Sequence, residues 1–386
     1  MTALVDRVRT RLVSERSDAT PARVAAALRA EGLVLGDDAV LDLVRTLRHE
    51  LVGAGPLEPL LRIAGITDIL VNGPDEVWID KGAGLERMDV QFSGESDVRR
   101  LAQRLAASAG RRLDEASPFV DARLPSGARL HCALPPVATA GTLISIRVPN
   151  RRAFTLDELI TRGTFDETGA DWLRRIVASR VAFLICGGTG TGKTTILSTL
   201  LGLVPPSERI VIVEDSSELM PDHGHAISMQ SRTMNVEGAG VVTLRDLVRQ
   251  ALRMRPDRIV VGEVRGAEVV EMLTSMNTGH EGGCATIHAN SASDVPARLE
   301  ALGLMAGLDR RATHALVGAG IDVILHLDRG PDGRRMLAGI HTLARSDDGY
   351  VRSIPALVRD GPALIPAGGV EALLERMHGR GIVGAS

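Results

Sequence analysis

A short apolar segment, a glycine-rich loop and a second apolar segment follow one another at residues 181–204. The first, VAFLIC, is a run of strand-forming residues, and the second, TILSTLLGLV, has the composition of a buried helix. The loop between them, GGTGTGKT, matches G-x-x-x-x-G-K-[ST] in the strand–loop–helix setting that gives this pattern its meaning. Further apolar runs at 210–213 and 259–261 fit parallel strands that are buried on both faces. The sequence therefore predicts an α/β fold, a doubly wound sheet with helices between its strands.

The glycine-rich loop has the chemistry of a phosphate site. Its glycines let backbone N–H groups point at phosphate oxygens, and the following helix adds the positive end of its dipole. Lys81 and Lys193 are the only lysines in the chain, so composition does not explain a lysine inside this motif. We expect Lys193 to neutralise the β- and γ-phosphates of ATP and the Thr194 hydroxyl to bind Mg²⁺. The predicted cofactor-binding residues are Gly187, Gly188, Thr189, Gly190, Thr191, Gly192, Lys193, Thr194 and Thr195.

Acidic residues follow two of the predicted strands. Residues 209–213 lead into EDSSE at 214–218, and residues 258–262 lead into Glu263. Functional side chains collect at the carboxyl ends of parallel strands, beside a phosphate loop. One carboxylate would hold the hydrated Mg²⁺ and another would orient the attacking water. Glu263 fits the metal role, whereas the alternative for Asp215 by itself is a helix N-cap or a solvated turn.

Two histidines and a cysteine recur at four-residue intervals as His280, Cys284 and His288. A zinc site is one interpretation, but Gly282 and Gly283 break the helix that would align the three side chains. A second is a sensor loop for the γ-phosphate, in which imidazoles donate to phosphate or to the catalytic glutamate. Ordinary core or surface histidines are a third.

Composition argues against a nucleic-acid-binding or membrane-inserted protein. The formal net charge is −3 and aromatic residues make up 2 %, which provides neither a basic surface nor stacking platforms for nucleic acid. The longest apolar runs are far shorter than the roughly 20 residues that span a bilayer. Three scattered cysteines fit a reducing compartment. We therefore expect a soluble, cytoplasmic protein that reaches a membrane only through partners.

The apolar pattern changes along the chain and suggests five parts. Residues 1–62 have helical spacing, whereas 63–148 alternate short strands and tight turns around one helix, as in a small α+β domain. A linker is expected at 149–160 and the α/β domain at 161–345. Residues 346–386, punctuated by Gly and Pro, are expected to form a tail or subdomain.

One predicted hairpin of the α+β region places two arginines opposite each other. The flanking strands predict a three-residue loop, Pro125-Ser126-Gly127, with glycine at the left-handed position. Symmetric pairing puts Arg123 opposite Arg129, and facing like charges destabilise a hairpin. Either both guanidiniums turn into water, or they hold an anion between them.

Several sequence segments, taken in their order along the chain, resemble those of the type II/type IV secretion ATPase superfamily. They look most like the CpaF/TadA-like ATPases of tight-adherence (Flp) pili. The carrying segments are ITDILVNGPDEVWI, VDARLPSGARL, GGTGTGKTT, RIVIVEDSSEL, MQSRTMNVEG, TLRDLVRQALRMRPDRIVVGEVRGAE and TGHEGGCATIHANSA. The resemblance implies a RecA-like P-loop domain preceded by a small PAS-like domain and an N-terminal helical segment, assembled as a homohexamer.

The resemblance also implies roles for single residues. Residues 187–194 correspond to Walker A, and residues 214–218 to the aspartate box with its catalytic glutamate at Glu218. The N-terminal domain would close over the nucleotide and supply arginines, with Arg147 as a third candidate. The residues implied in catalysis are Glu218, Glu263, His280, His288, Arg123 and Arg129, and those implied in metal binding are Thr194 and Glu263.

A protein of this kind would be a motor that hydrolyses ATP with Mg²⁺ and drives pilus assembly or protein secretion through inner-membrane platform proteins. It would lie at the inner face of the cytoplasmic membrane, held there by those partners. Two alternatives use the same RecA-like core: a conjugation-type secretion ATPase and a nucleic-acid translocase. A third, a small-molecule kinase, would need an acceptor pocket and a lid.

Overall fold

The computed structural model describes residues 21–30, 53–82, 84–148, 153–232, 240–277, 281–330 and 332–379. The chain divides into two compact units, residues 1–150 and 151–386. Helix α1 (Pro21–Ala30) belongs to the first unit. None of the helices in these described ranges is long and apolar enough to span a bilayer.

The first unit contains an antiparallel sheet and one long helix. Their bounds are β1 (Asp68–Gly73), β2 (Glu76–Asp80), β3 (Leu85–Met88), α2 (Glu95–Ser108), β4 (Phe119–Arg123), β5 (Arg129–Ala133) and β6 (Leu143–Arg147). The strand order is β3-β2-β1-β6-β5-β4, and every neighbouring pair is antiparallel. Alternate side chains of β1, Ile69 and Val71, are buried, as the two-residue period of a strand requires. Helix α2 buries Val98, Leu101 and Leu105, which lie on one helical face.

The second unit is built on a nine-stranded sheet. Its strands are β7 (Phe183–Gly187), β8 (Ile210–Glu214), β9 (Ala226–Gln230), β10 (Arg258–Val264), β11 (Cys284–His288), β12 (Val323–Arg329), β13 (Arg335–Arg345), β14 (Val351–Asp360) and β15 (Ala363–Pro366). Its helices are α3 (Leu156–Thr161), α4 (Glu167–Ala178), α5 (Lys193–Leu201), α6 (Leu244–Ala251), α7 (Glu268–Asn277), α8 (Val295–Met305), α9 (Arg310–Gly320) and α10 (Val370–Gly379).

The order of the strands divides this sheet into a parallel and an antiparallel part. The order is β15-β14-β13-β12-β7-β11-β10-β8-β9. Strands from β12 to β9 are parallel neighbours, whereas β12, β13, β14 and β15 pair antiparallel. The α/β fold predicted from the sequence is therefore confirmed. No pattern in residues 346–386 predicted β14, β15 and α10, whose strands extend the same sheet.

The parallel strands lie between two apolar layers, one on each face of the sheet. Every residue of β7 and β8 is buried, and separate hydrophobic clusters cover the two faces of the sheet. Helix α6 begins as its sequence predicts, because Thr243 and Asp246 form a reciprocal capping box. Because β7, β8, β10 and β11 are parallel, their carboxyl ends lie along one edge of the sheet.

Candidate functional site

The glycine-rich loop joins β7 to α5 in a conformation that only glycine adopts easily. Gly187, Gly190 and Gly192 have φ angles of +154°, +72° and +96°. A Cβ atom added at Gly187 would lie 2.4 Å from the Leu327 carbonyl oxygen and 2.7 Å from the Thr191 hydroxyl oxygen. The loop is therefore packed against β12 on its outer side, with no space for a side chain at its first position.

Lys193 begins helix α5, and its ammonium lies inside the loop. Nζ donates to the carbonyl oxygens of Gly187, at 3.0 Å, and Gly188, at 2.8 Å. Burial lowers the pKa of Lys193, while the nearby Glu263 carboxylate opposes that shift. The amine is thus held among backbone carbonyls at the point where the motif predicts phosphate.

His288 connects this lysine to the acid at the end of β10. Its Nδ1 lies 3.4 Å from Lys193 Nζ, and its Nε2 lies 2.8 Å from Glu263 Oε1. An ammonium can only donate, so Nδ1 accepts and Nε2 carries the proton that it donates to Glu263. Burial and the Lys193 charge lower the pKa of His288, and Glu263 acts in the opposite direction. The three side chains form a hydrogen-bonded triad, Lys193–His288–Glu263, with a neutral imidazole at its centre.

The acids that follow β8 differ in their partners. Glu214 is buried, and its Oε1 accepts from the backbone N–H groups of Glu218, at 2.9 Å, and Leu219, at 3.0 Å. Asp215 accepts from the Ser231 hydroxyl at 2.7 Å and pairs with Arg265, so it does not cap a helix. Glu218 is half-buried, and its carboxylate has no hydrogen-bond or ion-pair partner among the described residues. Glu214 and Asp215 therefore shape the turn, whereas the Glu218 carboxylate remains available for other interactions.

The zinc interpretation does not fit the geometry of β11. Cys284 and His288 are four residues apart on one strand, which separates them by about 13 Å. Cys284 is completely buried, and burial raises the pKa of its thiol to about 12, so the thiolate that zinc needs is disfavoured. His280 lies outside the described residues.

The glycine-rich loop and its neighbours fit ATP and Mg²⁺, in contrast to the poor fit of β11 to zinc. Gly187 leaves the first position of the loop without a side chain, where a Cβ would meet β12, and Lys193 supplies a cation inside the loop. Thr194 lies half-buried at the start of α5, followed by the half-buried Thr195. A hydroxyl from Thr194 and a carboxylate from Glu263 are the hard oxygen ligands that Mg²⁺ prefers.

In the first unit, the predicted hairpin is present. Arg123 pairs with Arg129 in the β4–β5 register, and Gly127 has a φ of +90°, as predicted. The β5–β6 register places Arg147 beside Arg129, so the three arginines form one row across the sheet. Arg129 pairs with Asp121 at 2.8 Å, and Arg123 Nε donates to the Gly127 carbonyl at 3.3 Å. Local acceptors thus reduce the repulsion that the sequence predicts.

No sequence pattern predicted a role for three arginines of the second unit that contact the site. Arg265 pairs with Asp215, and Arg329 and Arg335 both donate to the carbonyl oxygen of Gly190 in the glycine-rich loop. The segment LDRGPDGRR signals a hairpin after a strand, but nothing in it indicates contact with residues 139 positions earlier.

Comparison with known proteins places the chain among secretion and conjugation proteins. A model of the family described as type II/IV secretion system protein matches residues 50–336. A candidate conjugal transfer protein of Mycobacterium tuberculosis is 55 % identical over 327 residues, covering 83 % of this chain and 93 % of that protein. The type IV secretion system protein PtlH of Bordetella pertussis is 33 % identical over 313 residues, covering 74 % and 92 %. The conjugal transfer protein TrbB of Rhizobium radiobacter is 31 % identical over 306 residues, covering 78 % and 90 %.

Solved structures resemble the chain in fold. The ATPase DotB of Yersinia pseudotuberculosis has a TM-score of 0.54 at 18 % identity, covering 76 % of this chain and 78 % of that one. The pilus retraction motor PilT with bound ADP has a TM-score of 0.51 at 18 % identity, covering 81 % and 82 %. At this identity the likeness concerns the architecture, which agrees with the α/β sheet described above.

Proposed function

We propose that this chain hydrolyses ATP with Mg²⁺ and works as a secretion motor. The chain belongs to the type II/IV secretion system protein family. The observation that carries the proposal is the Lys193–His288–Glu263 triad beside the glycine-rich loop. It joins a phosphate-binding cation, an imidazole and a carboxylate at one edge of the sheet. Glu218, in the segment that follows β8, adds a second carboxylate without a partner among the described residues.

Each residue of the site then has a distinct task. Bound Mg²⁺ would supply Lewis acidity at the phosphate oxygens, with Thr194 and Glu263 as the residues that hold it. Lys193 exchanges its carbonyl acceptors for phosphate oxygens when the loop is filled. Glu218 orients the attacking water and accepts its proton. His288 keeps Glu263 oriented through its Nε2–H, and the family resemblance assigns His280 to catalysis together with His288.

The motor role extends this chemistry to an assembly. We propose a homohexamer at the inner face of the cytoplasmic membrane, attached through inner-membrane platform proteins and driving pilus assembly or protein secretion. Relatives named for conjugal transfer and type IV secretion support the conjugation-type alternative beside the CpaF/TadA-like one. In either case the row Arg123–Arg129–Arg147 is proposed to supply positive charge to a nucleotide during turnover.

The proposed domain division follows the same family pattern. It comprises an N-terminal helical segment at 1–62, a PAS-like domain at 63–148, a linker at 149–160 and a RecA-like domain at 161–345, with 346–386 as the C-terminal part. A six-stranded antiparallel sheet with one long helix supports the PAS-like assignment. The parallel strands around β7 support the RecA-like one.

Hydrolysis assays with the purified protein separate the candidate functions. The proposal predicts ATP turnover that EDTA abolishes, no stimulation by single-stranded DNA, and particles of six chains when a non-hydrolysable ATP analogue is present. Strong stimulation by DNA would favour the translocase, for which a net charge of −3 gives no support. A phosphorylated small molecule in place of free phosphate would favour the kinase.

A further inference from the structure

The two strand ends that flank the β12–β13 turn each carry an arginine that contacts the glycine-rich loop. Arg329 Nη2 donates to the Gly190 carbonyl oxygen at 2.9 Å, and Arg335 Nε donates to the same oxygen at 3.0 Å. Hydrogen bonds from charged donors are roughly twice as strong as neutral ones. One carbonyl of the loop is therefore held by two cations at once.

Without the contact to the loop, placing these two arginines side by side would destabilise the β12–β13 hairpin. Arg329 and Arg335 are directly opposite each other in the β12–β13 register, and facing like charges destabilise a strand pair. Both side chains are exposed, so neither is needed to fill the core. The shared acceptor on the loop offsets the repulsion and explains why the two guanidiniums lie together.

The glycines of the loop make this contact possible. A Cβ at Gly190 would lie 2.9 Å from Arg329 Nη2, and a Cβ at Gly192 would lie 3.3 Å from Arg335 Cδ. Glycine at these two positions thus serves the approach of the arginines as well as the positive φ angles.

The Gly190 carbonyl shares its peptide unit with the Thr191 N–H. Thr191 is buried, and none of the described residues accepts a hydrogen bond from its backbone N–H. Positive donors on the oxygen of a peptide unit polarise that unit and make its N–H a stronger donor. In a loop of this type, backbone N–H groups are the groups that bind phosphate oxygens.

We infer that Arg329 and Arg335 are positioning residues for nucleotide phosphate, which hold the Gly190–Thr191 peptide in place and strengthen its N–H as a donor. The inference rests on the proposed function, since it requires a nucleotide in the loop. The arginines act on bound substrate and transition state alike, so their removal weakens nucleotide affinity and raises KM while kcat changes little.

The test measures binding of mant-ADP and its displacement by inorganic pyrophosphate, which carries the phosphate contacts without the base. We expect each single Arg→Ala variant to lose about fivefold in both affinities, and Arg329→Ala/Arg335→Ala about twentyfold. The double variant should keep kcat within about twofold, and the loss should shrink in high salt. Arg329→Lys/Arg335→Lys keeps both charges and should recover part of the affinity.

Arg334→Ala is the matched control, because Arg334 lies on the same hairpin and pairs with Asp332. It should bind mant-ADP and pyrophosphate like the unmodified protein. Unchanged affinity in the double alanine variant would overturn the inference, as would equal losses in Arg334→Ala. A purely structural role would lower the unfolding temperature of the nucleotide-free double variant and reduce kcat, which also contradicts it. If the unmodified protein binds neither ligand, the proposed ATPase function itself fails.

Discussion

Replacing Gly187 by alanine tests whether the glycine-rich loop is sterically fixed against β12. The new Cβ would lie 2.4 Å from the Leu327 carbonyl oxygen, so one of the two must move by more than half an ångström. Leu327 cannot recede easily, because it pairs with Leu337 of β13, and residues 323–326 just before it pair with β7. The Thr191 hydroxyl, 2.7 Å from the same Cβ, is held by the Gly188 carbonyl at 3.0 Å.

The size of the effect follows from two terms. Overpacking a fixed site costs about 1–3 kcal/mol, and a side chain in a sparsely populated backbone region costs on the order of 1–3 kcal/mol. Part of the strain will displace the loop instead of unfolding the unit. We expect Gly187→Ala to lower the unfolding temperature by about 5–15 °C. A loop shifted by this distance should bind MgATP at least about tenfold more weakly.

Gly188→Ala is the control for stability. A Cβ at Gly188 would meet only the Thr191 Cγ2 at 3.8 Å, an ordinary contact, and Gly188 is not among the glycines with positive φ. Its unfolding temperature should stay within about 2 °C of the unmodified protein. Thermal unfolding without nucleotide and titration with a fluorescent ATP analogue measure the two effects. The reasoning is refuted if Gly187→Ala behaves like the unmodified protein in both, or if the two variants lose equal stability.

Three further predictions concern single side chains. Glu218→Gln should keep MgATP affinity and lose turnover, whereas Glu263→Gln should also shift the Mg²⁺ dependence; near-normal hydrolysis with normal MgATP binding in both would contradict these roles. Burial and the nearby His326 lower the pKa of His341 from 6.5 to about 4, so the unfolded state binds its proton more tightly between these values. The contribution of His341 to the free energy of unfolding should therefore be fully present above pH 6.5 and fall by about 1–2 kcal/mol towards pH 4. Urea denaturation across this pH range should show that His341→Gln lacks this fall, and an unchanged pH profile in the variant would count against the prediction. Arg123→Ala should reduce kcat far more than ATP affinity, and mixed rings with Lys193→Ala subunits should regain turnover if the arginine acts across subunits; unchanged turnover in Arg123→Ala alone would exclude a catalytic role.

Features that depend on neighbouring positions could be predicted from the sequence. The strand, loop and helix around Lys193 follow from a local pattern, as does the capping box at Thr243. The facing pair Arg123 and Arg129 also follows, because a short hairpin loop fixes the register of its two strands. In each case the residues that decide the structure lie within a few positions of one another.

Features that depend on strand order could not be predicted in this way. His288 reaches both Lys193 and Glu263 because β11 lies between β7 and β10, an order that no local pattern specifies. The partner of Asp215 is Arg265, fifty positions away and directly after the neighbouring strand β10. The contact of Arg329 with Gly190 likewise requires β12 beside β7.

The central claim is that Lys193 holds the phosphates of ATP in a hydrolytic site. The most direct measurement compares MgATP binding and phosphate release for the unmodified protein and Lys193→Ala, with circular dichroism as the check on folding. The account predicts that the variant folds and loses both tight binding and hydrolysis, because the loop contributes little to the core. A folded Lys193→Ala protein that hydrolyses ATP at the unmodified rate would contradict it.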